Sequence, residues 1–189
     1  MNDTQTTNEL LAKLGLPPQS IKPELLKQAL THKSITADRH TSHLKHNERL
    51  EYLGDAFLKS SISEWLFKHM PDFSEGHMSQ IRSYVVSDAA LSKAAQRIDL
   101  AKFIYVGESE KNTKHDIRES ILANVFESLC GAIFLSSDFP TTAQIILKLL
   151  SPELKMAVQG QADEVLNYKA LLQEYAQGKY KVLPDYHPI

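Results

Sequence analysis

The stretch "KHNERLEYLGDAF", residues 45–57, places three carboxylates on one face of a segment whose periodicity predicts a helix. Glu48, Glu51 and Asp55 stand at i, i+3 and i+7, so they fall within about 60° of one another around the helix axis. Like charges at such spacings repel by about 0.2 to 0.5 kcal/mol per pair. A chain that keeps them together therefore either pairs them with cations on its own surface or uses them to bind something positive.

The sequence also offers a purely structural explanation of this stripe. Lys45 lies three residues before Glu48, and Lys59 lies four residues after Asp55. Opposite charges at these spacings form ion pairs on the surface of a helix. From the stripe alone, solvated ion pairs and a binding site explain the pattern equally well.

Composition indicates one globular domain, because 189 residues with 42% hydrophobic content can bury a sizeable core and leave room for a small appendage. A single cysteine excludes a disulfide framework and a cysteine-based zinc site, so we expect a cytoplasmic protein. The first residues lack the basic and apolar pattern of a leader peptide, and no apolar run is long enough to span a membrane, so we expect neither secretion nor membrane insertion. The net charge of −2 leaves nucleic-acid binding open.

Helical periodicity dominates the chain and predicts an all-α fold. Ser20, Ser74 and Ser87 are expected to cap helix N-termini, and Asn8 is the expected cap of the first helix. Helices are expected over residues 8–14, 20–34, 45–69, 74–86, 87–98, 117–134 and 140–158.

Domain organisation follows from a change in composition after the last of these helices. Residues 1–7 are expected to be frayed, and residues 8–158 to form the main domain. The stretch "QGQADEV" indicates a linker, assigned to residues 159–166. Residues 167–189 hold one further short helix and the possible start of a strand.

A second site is indicated by Glu127, the one charged residue in the apolar segment 120–137. A lone buried carboxylate costs several kcal/mol or takes up a proton unless it meets a cation or a metal. Asn124 stands one turn earlier. If this helix faces the stripe, the oxygens of Glu51, Asp55, Asn124 and Glu127 converge, and these are the ligands that Mg²⁺ or Mn²⁺ prefers. The alternative is a buried, hydrogen-bonded Glu127.

The segment "NERLEYLGD" resembles the signature of the ribonuclease III family, endonucleases that cut double-stranded RNA. "LLKQALTHKS", "EGHMSQIRSYVVSDAALSKAA" and "RESILANVFESLCGAIFL" resemble its other blocks in order, so the resemblance covers about residues 8–160. "NYKALLQEYAQGKY" is similar to the first helix of the double-stranded-RNA-binding domain that follows the nuclease domain. The resemblance thus implies the helical ribonuclease III nuclease fold, followed by a truncated α/β RNA-binding domain.

The resemblance also implies a role for each position at the two acidic sites. Glu51 and Glu127 match metal ligands, and Asp55 matches a catalytic carboxylate in the metal sphere. Asp55 and Glu127 are the expected catalytic residues. Asn124 occupies a position usually held by a ligand aspartate, so we expect a raised Mg²⁺ requirement or a preference for Mn²⁺.

Further positions match parts of the family outside the central metal site. Glu48 and Glu75 match accessory acidic residues near the site and the subunit interface. Tyr52 stands where the family has an aromatic residue that plugs into the partner subunit. In the tail, the positions similar to RNA contacts are Lys169, Gln173 and Glu174.

The resemblance implies a metal-dependent endoribonuclease that works as a homodimer, without a small-molecule cofactor. It would cut both strands of an RNA duplex to give 5′-phosphates and short 3′ overhangs, in the processing of rRNA or mRNA precursors. The alternative is a catalytically weak or inactive RNA-binding or scaffold protein that keeps the fold. Asn124 and the short tail favour the alternative, whereas intact Glu51, Asp55 and Glu127 favour the enzyme.

Overall fold

The computed structural model describes residues 3–37, 41, 43–107, 110, 117–160 and 175–182. These residues are mostly helical, and the predicted all-α class is confirmed. The α-helices are α1 Asp3–Leu14, α2 Pro23–Leu30, α3 Glu48–His69, α4 Glu75–Val85, α5 Asp88–Arg97, α6 Glu119–Phe134, α7 Phe139–Leu149 and α8 Ser151–Val158. Short 3-10 helices cover Lys33–Ala37 and Leu100–Phe103, and residues 175–180 are helical.

Helix α6 lies at the centre of the fold and packs most extensively against α3, then against α5 and α2. It is apolar around most of its circumference, which is typical of a helix buried on several sides. A polar group on α6 must therefore find its partner inside the protein. Ser128, for example, is fully buried and donates a hydrogen bond to the carbonyl oxygen of Ala29 at 2.8 Å.

Two glycines allow α3 and α6 to approach each other closely. A Cβ atom at Gly54 would overlap the carbonyl oxygen of Glu127, and one at Gly131 would overlap the carbonyl oxygen of Leu50. Any side chain at either position would push the two backbones apart. The glycine contact therefore fixes the acidic stripe of α3 against the segment of α6 that carries Glu127.

Serine caps begin two of the helices, as predicted. The Ser74 hydroxyl accepts a hydrogen bond from the backbone N–H of His77 at 3.2 Å, and Ser87 accepts one from Ala90 at 3.3 Å. Ser20 does not cap α2, because the helix begins at Pro23 with Lys22 at the cap position, and the Ser20 hydroxyl donates to the carbonyl oxygen of Pro17. The fixed φ of the proline at the start of α2 suits a first helical turn without such a cap.

Three predicted helix boundaries were wrong. The helix expected over residues 20–34 is shorter, since α2 covers Pro23–Leu30 and Thr31 is extended. Helix α1 begins at Asp3, so it includes residues 3–7 and starts before the expected cap Asn8. The segment 140–158 is not one helix, because it breaks at Leu150 between α7 and α8. Pro152 has no N–H to continue the hydrogen-bond pattern of α7, whereas it fits the first turn of a new helix.

The tail is described only in part. The predicted RNA contacts Lys169, Gln173 and Glu174 lie outside the described residues, so the expected start of an RNA-binding domain stays a prediction. Across the described ranges, no helix has both the length and the apolar character needed to cross a membrane.

Candidate active site

The start of α3 is fixed to the chain that leaves α2. The backbone N–H of Asn47, a fully buried residue, donates to the carbonyl oxygen of Thr31 at 2.9 Å. The carbonyl of Asn47 accepts hydrogen bonds from the N–H groups of Leu50 and Glu51 at 2.8 and 2.9 Å. The turn that carries Glu48 and Glu51 is therefore held in place by the backbone itself.

Ion pairs account for two of the three carboxylates in the stripe. The Lys33 ammonium donates to Glu48 at 2.7 Å and lowers the pKa of that carboxyl group. The partner of Glu48 is thus Lys33 and not Lys45, the lysine suggested by spacing. Lys59 pairs with Asp55 at 2.7 Å, as its i,i+4 position predicts. Surface ion pairs therefore explain Glu48 and Asp55, but not Glu51.

Glu51 and Glu127 have a different environment. Burial is the largest cause that raises the pKa of Glu127 to about 8, and the negative charges of Asp55 and Glu51 raise it further. Burial also raises the pKa of Glu51, followed by the charge of Glu48. Helices α3 and α6 therefore hold like charges close together in a half-buried place, which is unfavourable unless a cation is bound.

Asp88 is a further acidic residue of this region, and sequence reasoning missed it. It is the first residue of α5, directly after the cap Ser87, and α5 packs against α6. Its charge raises the pKa of both Glu51 and Glu127. The serine cap was a signal for a helix start, but no spacing in the sequence connects Asp88 with the other carboxylates.

Asn124 lies one helical turn before Glu127 on α6 and is partly buried. Among the residues that the structure describes, no three His, Cys, Asp or Glu side chains are already arranged to hold a metal ion. Ionised carboxylates repel one another, so bringing them together is unfavourable in the absence of a cation. The carboxylate and amide oxygens nevertheless fit a hard divalent ion, because such ions prefer oxygen ligands.

Glu75 lies away from this cluster within one chain. It begins α4, accepts a hydrogen bond from Ser79 at 2.8 Å, and lines a groove with Ser63 and Phe67 in the second half of α3. Ser63 is about 18 Å beyond Glu51 along the helix axis. Glu75 is therefore too far from the acidic cluster of its own chain to have the predicted accessory role there.

Tyr52 is 82% exposed although it stands beside the buried part of the stripe. Phe67 is 76% exposed on the same helix and lies about 60° from Tyr52 around the axis. Large aromatic side chains that point into solvent along one edge are typical of a contact surface. The outer edge of α3 is therefore a candidate protein interface.

Comparison with known proteins identifies the family. A family model described as Ribonuclease-III-like matches residues 22–154 of the chain. The chain belongs to the ribonuclease III family. It is 39% identical over 186 residues to Ribonuclease 3 of Pasteurella multocida (strain Pm70), covering 98% of this chain and 78% of that protein.

Two further matches agree with this assignment. Ribonuclease 3 of Buchnera aphidicola subsp. Schizaphis graminum is 41% identical over 163 residues, 86% of this chain and 68% of the relative. A nuclease domain of ribonuclease III from Campylobacter jejuni, described for flexibility in a region involved in dimer formation, superimposes with a TM-score of 0.68. It is 32% identical, and the match covers 77% of this chain and 96% of that domain.

At the level of the family, the comparisons confirm the predicted ribonuclease III nuclease fold and an endoribonuclease of double-stranded RNA that depends on a divalent metal. They also agree with the predicted homodimer. The roles of individual residues and the identity of the metal stay predictions.

Proposed function

We propose that this ribonuclease III hydrolyses RNA duplexes at a site formed by Glu51, Asp55, Asn124 and Glu127, with Mg²⁺ as its ion and Mn²⁺ as a substitute. The main support is the close approach of α3 and α6 at their glycine contact, which brings together the backbone segments that carry these residues. Burial, followed by the charges of Asp55, Glu51 and Asp88, raises the pKa of Glu127 to about 8, which supports a site of excess negative charge in a half-buried place. A bound divalent cation would compensate the negative charge and stabilise the ionised form of the half-buried carboxylate.

Each side chain has a distinct part in this site. A bound divalent ion would supply the Lewis acid that activates water and stabilises charge on the phosphoryl group. Glu51 and Glu127 come from different helices and would hold the ion between them. Asp55 lies on the more exposed side of the stripe, where it can orient the attacking water. Because the pKa of Glu127 is raised to about 8, its carboxyl group would have to release a proton in order to act as a ligand.

Asn124 offers an amide oxygen without charge, so replacing it with aspartate should strengthen metal binding. We expect Asn124→Asp to lower the Mg²⁺ concentration for half-maximal cleavage by about tenfold, because each added ligand charge favours a hard cation. Mg²⁺ titrations of duplex cleavage measure this. Gln144→Glu adds the same charge on α7 and should leave the titration unchanged. An aspartate variant with no gain in affinity or rate would contradict the assignment of Asn124.

The homodimer forms, in this proposal, along the outer edge of α3. Tyr52 and Phe67 supply exposed aromatic surface there, and Glu75 borders the same groove as Phe67. Glu75 is thereby placed at the interface and not in the site of its own chain. Two sites related by the dimer axis would cut opposite strands and leave 5′-phosphates and short 3′ overhangs.

The deciding experiment is cleavage of a long labelled RNA duplex in low salt, across Mg²⁺ and Mn²⁺ concentrations, with Glu127→Gln as the control. Metal-dependent cleavage that is lost in the control supports the nuclease site. An inactive RNA-binding or scaffold protein is the second candidate, favoured by the neutral Asn124. It would bind the duplex and cut nothing with either metal.

The substrates and location belong to the same proposal. Precursors of rRNA and mRNA in the cytoplasm are the expected RNAs, supported by the Ribonuclease 3 relatives and by a single cysteine that is buried and free. The division into a nuclease domain, a linker and a partial RNA-binding domain remains a prediction.

A further inference from the structure

Lys59 places an ammonium group within the carboxylate cluster. Its Nζ lies 2.7 Å from Oδ2 of Asp55, one helical turn earlier on α3. The Asp55 side chain is 35% exposed and that of Lys59 is 52% exposed, so the pair is accessible to solvent at the edge of the stripe. One oxygen of a proposed metal-site carboxylate is therefore already bound to a cation.

The charge of Lys59 reaches beyond Asp55. Burial and then the negative charges of three carboxylates, Asp55, Glu51 and Asp88, raise the pKa of Glu127, and the positive charge of Lys59 lowers it. Lys59 thus offsets part of the repulsion that the described carboxylates exert on one another. In a protein without a divalent ion, this is the role that the metal would otherwise fill.

An ammonium group and a divalent ion compete for the same negative charge. A carboxylate oxygen that accepts a short hydrogen bond from Nζ has fewer lone pairs for a metal, and the two cations repel at short range. We propose that Lys59 is an internal counter-ion that occupies Asp55 in the metal-free protein and must leave it for the ion to bind. Lys59 then sets the metal concentration at which the site fills. This inference rests on the proposed metal site.

The chain offers a matched control on the same helix. Lys68 pairs with Glu64 at 2.6 Å with the same i,i+4 spacing, and the two side chains are 61% and 43% exposed. This pair lies nine residues further along α3, about 13 Å from the Lys59 pair. Lys59→Gln and Lys68→Gln therefore remove the same kind of ion pair, one at the site and one outside it.

The first measurement is Mn²⁺ and Mg²⁺ binding to the metal-free full chain by calorimetry, without RNA. We expect Lys59→Gln to lower the half-saturating metal concentration by about threefold to tenfold, because a competing cation is removed. Lys68→Gln should match the wild type. Lys59→Arg keeps the positive charge, so its metal affinity should stay close to that of the wild type. If the Lys59–Asp55 pair were only structural, its removal would not change metal affinity.

The second measurement is the melting temperature in EDTA and in saturating Mn²⁺. Lys59→Gln should melt below the wild type in EDTA, because the carboxylates then repel without compensation, and the difference should disappear with Mn²⁺. Lys68→Gln should show the same small change in both conditions.

The two proposals fail in different ways. If wild type and Glu127→Gln bind metal equally weakly, the metal site itself is wrong. If the wild type binds metal through Glu127 but Lys59→Gln binds with the affinity of Lys68→Gln, the metal site stands and the counter-ion role of Lys59 is overturned.

Discussion

Glu127 and Glu153 are both largely removed from solvent, but their neighbours differ in sign. The Glu153 side chain is 5% exposed, and the guanidinium of Arg97 donates to both of its oxygens at 2.6 and 2.7 Å. The same guanidinium also donates to the carbonyl oxygen of Leu149 at 2.7 Å. This pair joins the end of α5 to α8 and leaves the buried carboxylate of Glu153 with a cation and two hydrogen bonds.

The neighbours of Glu127 are mainly negative. The charges of Asp55, Glu51 and Asp88 add to the effect of burial, and the pKa of Glu127 rises to about 8. Burial alone does not distinguish a structural carboxylate from a functional one. A buried carboxylate paired with arginine has its charge compensated within the fold, whereas one surrounded by charges of its own sign lowers stability until a cation binds.

Of the predicted changes, breaking the α3–α6 contact near Glu127 should have the largest effect on stability. In Gly54→Ala the new methyl group would overlap the carbonyl oxygen of Glu127, so the two backbones must separate. We expect the free energy of unfolding to fall by about 3 kcal/mol. Cleavage by the folded protein should fall as well, because the carboxylates move apart. Urea denaturation and duplex cleavage at saturating Mg²⁺ measure the two effects.

Gly76→Ala is the control for this substitution. A Cβ atom at Gly76 meets nothing within 4 Å, and the residue lies in the first turn of α4. Alanine there should be neutral or slightly stabilising, because it restricts the unfolded chain. Equal stability of the Gly54 and Gly76 variants would show that the close approach of α3 and α6 does not position the site.

The two glutamates also differ in how far the sequence revealed them. The partial burial of Glu127 could be predicted, because it is the one charged residue in the apolar segment 120–137. Glu153 lies in "SPELK", an ordinary polar segment, and its partner Arg97 is 56 residues earlier in the chain. Sequence patterns report local periodicity, so the ion pair of Arg97 with Glu153 and the charge interaction of Asp88 with Glu127 stayed hidden.

The helices show the same limit. Periodicity and the serine caps located α4 and α5, since these signals act within a few residues. The break at Leu150 was missed because the apolar pattern continues across it, although Pro152 marked it. The pairing of Lys33 with Glu48 was missed because it depends on the path of the chain between α2 and α3.

Removing Arg97, the cation that pairs with Glu153, should have the next largest effect on stability. Arg97→Met leaves a buried carboxylate without its partner, and we expect the free energy of unfolding to fall by about 2 kcal/mol. The double variant Arg97→Met, Glu153→Leu should recover most of this loss, because no buried charge remains. Chemical denaturation measures both. A double variant no more stable than the single one would mean that packing around Arg97, and not its charge, holds α5 to α8.

The smallest expected effect on stability is that of replacing each glutamate with glutamine. Glu127→Gln should stabilise the metal-free protein at pH 8, whereas Glu153→Gln should destabilise it. The pKa of Glu127 is raised from 4.5 to about 8 in the folded protein, so between these values the folded state binds more protons than the unfolded state. The stability of the metal-free wild type therefore falls as pH rises through this range. Glu127→Gln removes that loss and should be more stable than wild type by about 1 kcal/mol at pH 8, since partial exposure screens the charges.

At pH 4.5 the stabilising effect of Glu127→Gln should vanish, because the wild-type carboxyl group is then protonated in the fold and only half ionised when unfolded. Glu153→Gln should instead destabilise the protein at pH 8, because Arg97 loses its charged partner. Thermal melts in EDTA at both pH values compare the two variants. If Glu127→Gln also destabilised the protein at pH 8, Glu127 would be a satisfied structural carboxylate like Glu153, and the electrostatic argument for a cation at the α3–α6 contact would fail with it.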